Sequence, residues 1–306
     1  MDGVDPAPGL PRSGGRRRRV KASRIVALAR RSSTTMTNKN EPELLNDLLL
    51  TCSPAINSSE EYCLLSAIKG GRWDGRLMFY GRAVNGWHSV EKGADLHGAA
   101  GRQRLIENAL APTRIPLCKL EADDSRLVHD EGCDHDPMHW VHHPRLLASG
   151  WKGRISSGFF WTAVKKVLHG FLGAEATPPA FATNVAWSNL YKLAPNDGNP
   201  TEALADLQRG ICGELIKREL RALKPNHVVF FTQYKTSSPE DDPWFWSFRE
   251  LLPIADYRPN SDPLVHGTGR LVGDGIDSRF VLAVHPQGTG KAGLADKVVE
   301  SLKASR

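Results

Sequence analysis

Three stretches of this 306-residue chain set polar side chains directly after a short apolar run. The first is Gly81-Arg82-Ala83-Val84-Asn85-Gly86-Trp87, following Leu77-Met78-Phe79-Tyr80. The second surrounds Asn184 and Asn189. The third, His285-Pro286-Gln287-Gly288, follows Phe280 to Val284. In an open parallel sheet, ligands sit beyond the carboxyl ends of the strands, so these turns are where chemistry is expected. The residue types suit a planar polar ligand. A carboxamide such as Asn184 or Asn189 donates and accepts at once and can read the edge of a heterocycle; in a bland reading it only satisfies turn backbone. His285 can donate to a group that gathers negative charge, or simply face solvent at a strand end. Arg82 suits a phosphate or a base carbonyl, or is a surface arginine. Asn85 can orient a water, although an amide is a poor base and Asn in such turns often serves to adopt left-handed geometry. Trp87 and Phe159 can stack on a base; as large aromatics they equally suit a core.

The elements that must position these residues alternate in type. Glu41 to Leu50 carries Leu44, Leu45, Leu48 and Leu49 at helical spacing. Leu77 to Tyr80 reads as a buried strand. Residues 88–150 are polar, His-rich and weakly periodic, which predicts an irregular insertion of loops and short helices. Gly158 to Leu172 reads as a helix, with Phe160, Val164, Val167, Leu168 and Phe171 on one face. Phe181 to Trp187 reads as a strand. A polar loop follows, and then a helix that Thr201 caps and that ends before Pro225. Val228 to Thr232 is a β-branched and aromatic run, hence a buried strand. Trp244 to Leu252 reads as a short helix, Phe280 to Val284 as the last strand and Leu294 to Leu302 as the last helix. Strands alternating with helices predict an α/β protein: a three-layer α/β/α sandwich around a four-stranded parallel central sheet, in one domain over 41–303.

Composition narrows the class. The chain is 40% hydrophobic and 24% charged, in the range of globular proteins, and no apolar run approaches the roughly 18 residues of a membrane span. The net charge of +6 is concentrated in residues 1–35, where nine basic side chains face Asp2 and Asp5. The remainder is nearly balanced, so global charge does not call for nucleic acid; only a local patch can. Residues 1–40 lack apolar periodicity and are expected to be a disordered basic leader. That leader reads as a tail or as translation upstream of a start at Met36, with a nucleic-acid-binding arm or an organelle-targeting segment as the other readings. Cys52, Cys63, Cys118, Cys133 and Cys212 are odd in number and scattered. Free thiols in a reducing, cytoplasmic setting are expected.

The middle of the chain resembles a known superfamily. Ala182-Thr183-Asn184-Val185 through Lys192 is followed by Gly198-Asn199-Pro200-Thr201 and a helix bearing Cys212. Leu223-Lys224-Pro225 and Val228-Val229-Phe230-Phe231 come next. This order resembles the second half of the uracil-DNA glycosylase-like superfamily, most of all the branch with a Thr-Asn-Val strand end and an Asn-X-Pro loop. Gly81-Arg82-Ala83 then stands at the superfamily's first motif and His285-Pro286 at its last. The resemblance spans about residues 70–300 apart from the insertion. It implies a base flipped out of its stack at the strand ends, an amide that reads it (Asn184, or Asn189 if that strand runs further), His285 as donor to the departing base, and hydrolysis of the N-glycosidic bond in DNA repair. Gly81, Arg82, Ala83, Trp87, Phe159, Asn184 and Asn189 form the expected binding set, with Asn85 and His285 as the catalytic pair.

Two departures shape the expectation. Arg82 and Ala83 stand where the superfamily carries a water-activating side chain, which opens the alternative of a non-catalytic nucleic-acid- or nucleotide-binding protein on the same fold. Gln287-Gly288-Thr289-Gly290-Lys291 offers no bulky apolar wedge, so single-stranded DNA or a nucleobase-containing ligand is favoured over duplex. A monomer that needs no cofactor is expected. The branch's iron–sulfur cluster requires four cysteines, and only Cys212 stands at a matching place. The segment Cys133 to His143 is His-rich, but Pro137 separates His135 from His139 and the spacing fits no zinc pattern. A polar loop without metal is the reading.

Overall fold

In the computed structural model, the described residues are 39–70, 73–83, 90–110, 159–173, 184–233, 244–287 and 293–305. Helix α1 (Glu41–Cys52) begins with a reciprocal cap: Asn40 accepts from the Glu43 amide and Glu43 from the Asn40 amide. Strands β1 (Glu61–Leu64), β2 (Ile68–Lys69) and β3 (Leu77–Ala83) follow. Beyond them come β4 (Val90–Lys92), the single turn α2 (Gly93–Leu96) and α3 (Ala99–Leu110). The first part of the expected insertion is therefore regular structure; residues 111–158 lie outside the described set, as does the leader up to residue 38. Helix α4 (Phe159–Leu172) leads to β5 (Ala186–Tyr191) and β6 (Leu193–Pro195). Helix α5 (Glu202–Leu223) starts at Thr201, whose side chain accepts from the Leu204 amide. It ends at Lys224 in the left-handed conformation, φ 49°, immediately before Pro225. The remaining elements are β7 (His227–Gln233), a 3₁₀ turn at Trp246–Phe248 where a short helix is expected, β8 (Ile254–Pro259), β9 (Val265–Gly273), β10 (Ile276–Val284) and α6 (Leu294–Ala304).

The expected sheet of four parallel strands is corrected. The main sheet has seven mixed strands in the order β2-β5-β3-β7-β10-β9-β8, and β4-β1-β6 form a second, antiparallel sheet. Within the main sheet β5, β3, β7 and β10 are parallel neighbours, while β2, β9 and β8 join antiparallel. The added strands escape sequence reading for a physical reason. β2 is two residues long, β8 is largely exposed, and β9 carries His266, Gly267, Thr268, Gly269 and Arg270 in place of an apolar run.

Helices lie against both faces. Leu77, Phe79, Val229, Phe231, Val281 and Ala283 share a core with α4 (Trp161, Val164, Leu168) and α6 (Val298, Leu302). On the other face Tyr80 and Ser188 reach Glu219 of α5. Residues Asn40–Arg306 make one compact unit.

Candidate functional site

The four parallel strands end on one edge of the sheet, and β3 and β5 are in register there, Gly81 beside Asn189. Gly81 has no positive φ, so its backbone does not demand glycine. The demand comes from space. A Cβ there would overlap Asn189 Oδ1, lie 3.4 Å from Asn189 Cγ and 3.6 Å from Phe160 Cε2. The Asn189 carboxamide thus lies over Gly81, on the face that α4 covers, and is only 3% exposed. Ala83, two residues on, is half-buried against the same core.

Asn184 is placed differently. It precedes β5, and β5 pairs with β3 only from Ala186, opposite Met78. Asn184 therefore stands at the amino end of the sheet. It lies five positions before Asn189 and outside the strand. The strand runs on to Tyr191 rather than stopping at Trp187 because its polar residues find partners inside the fold. Ser188 donates to Glu219 Oε1 at 3.0 Å, and Lys192 Nζ donates to both Glu219 oxygens at 2.7 and 2.8 Å.

Arg82 points to the opposite face from Gly81, as strand alternation requires. It is buried, and its Nε and Nη2 donate to the backbone carbonyls of Thr232 and Gln233, each at 2.8 Å. Its guanidinium also stacks 5.4 Å from the Trp244 ring centre. β3 and β7 pair only as far as Tyr80 and Phe230. Beyond that point Arg82 bridges the gap by capping the β7 carbonyls.

His285 follows β10 directly. Its backbone amide donates to Gln233 O at 2.7 Å. Its Nδ1 accepts from the Gln287 amide at 3.2 Å. A neutral imidazole that accepts at Nδ1 carries its proton on Nε2, so His285 is held in the tautomer that makes Nε2 a donor. Its ring lies 6.4 Å from that of Phe160, nearly parallel at 28°. Phe159, the expected stacking residue, is 59% exposed. Its neighbour Phe160 instead packs near Trp187, Phe231 and His285. The helical phase of Phe160, Val164, Val167 and Leu168 marks Phe160 as the inward residue. Asn85 and Trp87 lie outside the described residues.

Two residues at this edge stand outside the expected set. Thr232 and Gln233, which end β7, are wholly buried, and Thr232 Oγ1, Gln233 Nε2 and Gln233 Oε1 have no hydrogen-bond partner among the described residues. Their signal in sequence is the one that marks the three turns: polar residues ending an apolar run.

On the opposite face, a buried network fixes β5 to α5. Lys192 and Glu219 are both buried, and Tyr80 Oη donates to Glu219 Oε2 at 2.8 Å. Burial pushes the Glu219 carboxyl above its usual range, with Lys192 opposing the rise. Burial and the adjoining carboxylate push the Tyr80 phenol well up, so it remains a neutral donor. Cys52, Cys63 and Cys212 are buried and outside any disulfide, and burial raises the Cys212 thiol to about 12.

A cleft of about 460 Å³ lies elsewhere, lined by Asp256, Arg258, Asn260, Arg270 and Arg279 among others. Arg279 pairs with His227 at the start of β7, which puts the cleft at the amino end of the parallel strands, away from Asn189 and His285. Among the described residues no cluster of His, Cys, Asp and Glu could hold a metal ion, and no helix is long and apolar enough to cross a membrane. The His-rich segment Cys133 to His143 lies outside them.

No protein-family model matches the chain, and no similar curated protein or solved structure was found.

Proposed function

We propose that the carboxyl ends of β3, β5, β7 and β10 bind a nucleobase, presented in single-stranded DNA, and that the parallel block β5-β3-β7-β10 is the sheet the uracil-DNA glycosylase-like resemblance implies, with β2, β8 and β9 as additions. The observation that carries this reading is the juxtaposition of Gly81 and Asn189 in register, with the amide seated where a side chain at 81 would be. An amide with both a donor and an acceptor suits a base edge, and Phe160 and His285 supply aromatic surface and an Nε2–H donor beside it. Asn189, rather than Asn184, takes the base-reading role in this proposal, because only Asn189 shares the edge with His285.

The resemblance extends the reading to hydrolysis of the N-glycosidic bond. In that reaction the bond from C1′ to the base nitrogen breaks and its electron pair leaves with the base. A water oxygen bonds to C1′, leaving a hydroxyl there, and the proton the water gives up ends on the departed base. His285 Nε2–H would hydrogen-bond the base oxygen on which charge accumulates. A second reading, binding without chemistry, draws on Arg82: the side chain after Gly81 is committed to the carbonyls of Thr232 and Gln233 and cannot activate water. One experiment separates the two. Single-stranded oligonucleotides bearing uracil or another modified base are incubated with the protein, and both retention and free base are measured. Retention that requires Asn189, with base release that requires His285, supports the hydrolase. Retention without release supports the binding protein. Failure of the folded protein to retain any such oligonucleotide overturns both.

A further inference from the structure

We propose that Gln233 is a second base-edge residue of this site, one that hydrogen-bonds the ligand through both atoms of its carboxamide; the inference rests on the nucleobase reading above. Its side chain is wholly buried at the carboxyl end of β7, and among the described residues neither Nε2 nor Oε1 has a partner. Buried carboxamides in folded proteins are almost always paired, so an unpaired one calls for an explanation. This fold contains its own comparison. Gln208 is equally buried, and its Oε1 accepts from Leu193 N at 3.1 Å while its Nε2 donates to Leu193 O at 2.8 Å. A glutamine kept only for structure is satisfied in this way.

The main chain at Gln233 is held from two sides. Its carbonyl accepts from Arg82 Nη2 and from the His285 amide, so the backbone that carries the unpaired amide is tied to two residues of the first and last turns. The preceding Thr232 adds a third unpaired atom, Oγ1. The register between β7 and β10 slips here, with Gln233 pairing Val284 after Phe231 pairs Ala283. Bulges of this kind re-aim side chains and are common beside active sites. β3 lies between β5 and β7 in the sheet, so Asn189 and Gln233 stand near the carboxyl ends of the two strands on either side of it. A donor beside an acceptor matches the edge of a nucleobase. It does not match a phosphate, which only accepts.

The test uses the full chain and two oligonucleotides of one length, one containing uracil and one an abasic site, with binding measured by fluorescence anisotropy. Gln233→Met keeps the length of the side chain and removes both polar atoms. Without ligand its Tm is expected to stay level or rise by up to about 4 °C, because no hydrogen bond is lost. Its affinity for the uracil oligonucleotide is expected to fall about tenfold or more, while its affinity for the abasic one is unchanged. Gln233→Glu keeps the shape but cannot donate when ionised, and the same selective loss is expected; it carries the test if the Met variant does not fold. A fall in Tm of many degrees for Gln233→Met with the fold retained would show that the amide is satisfied within the protein, which overturns the inference. So would undiminished preference for uracil over the abasic strand in both variants. If the wild-type chain itself does not distinguish the two strands, the nucleobase reading fails at its own level, independently of Gln233.

Discussion

Gly81→Ala tests the geometry of the site without any ligand. The new methyl group would overlap Asn189 Oδ1 and touch Asn189 Cγ at 3.4 Å, whereas Phe160 Cε2 at 3.6 Å is an ordinary neighbour. The backbone cannot yield easily, because Gly81 and Asn189 sit in register on parallel strands and β5 is fastened to α5 through Ser188, Lys192 and Glu219. The Asn189 amide must therefore move, by about an ångström, into packed surroundings. Overpacking of this kind costs about 1–3 kcal/mol. At roughly 2–4 °C per kcal/mol for a chain of this size, Tm drops by about 2–12 °C. In an Asn189→Ala background the obstruction is gone. There Gly81→Ala becomes neutral or stabilises by up to about 0.5–1 kcal/mol, since alanine loses less chain entropy than glycine on folding. Urea unfolding of the wild type, both single variants and the double variant gives the coupling energy, expected at about 1–4 kcal/mol. An equal cost of Gly81→Ala in both backgrounds would refute the placement of the Asn189 amide over Gly81.

Other perturbations have definite expected outcomes. Lys192→Met leaves Glu219 buried without its cation and is expected to cost about 3–5 kcal/mol in urea unfolding, while adding Glu219→Leu restores most of the loss. A double variant no more stable than Lys192→Met would contradict that account of the pair. Tyr80→Phe removes one donor from the Glu219 carboxylate and should cost about 1.5–3 kcal/mol. Peptide-mapped alkylation of the native protein at pH 8 should spare Cys52 and Cys212, which burial keeps as thiols, and Cys63, which is buried; rapid labelling of Cys212 would contradict its placement.

Much of the helical frame was legible. Thr201 and Pro225 bracket α5 because a cap and a pre-proline stop act locally, and the apolar phase of α4 is local too. The seven-stranded sheet was not legible, because β8 and β9 are held by pairing with β10 rather than by apolar runs of their own. The end of β5 was misjudged because Ser188 and Lys192 look like loop residues until Glu219, far along the chain, is placed beside them. The preference for Asn184 rests on the motif match, and Asn189 is the better placed of the two where the strand runs further, as it does, to Tyr191. Phe159 and Phe160 differ in helical phase: Phe160 belongs to the apolar face that the spacing predicts, and Phe159 is exposed. Gln233 lies one residue beyond the run Val228 to Thr232, and its amide stands out only once the fold shows it buried without a partner among the described residues.

The central claim, that the strand ends around Asn189 and His285 bind a nucleobase, is tested most directly by the affinity of a uracil-containing single-stranded oligonucleotide for the wild type and for Asn189→Ala, each checked for folding. The account predicts binding by the wild type and a loss of about tenfold or more in the variant, with an abasic strand bound equally by both. Wild-type affinity undiminished in Asn189→Ala, or no preference for the base in the wild type, would contradict it.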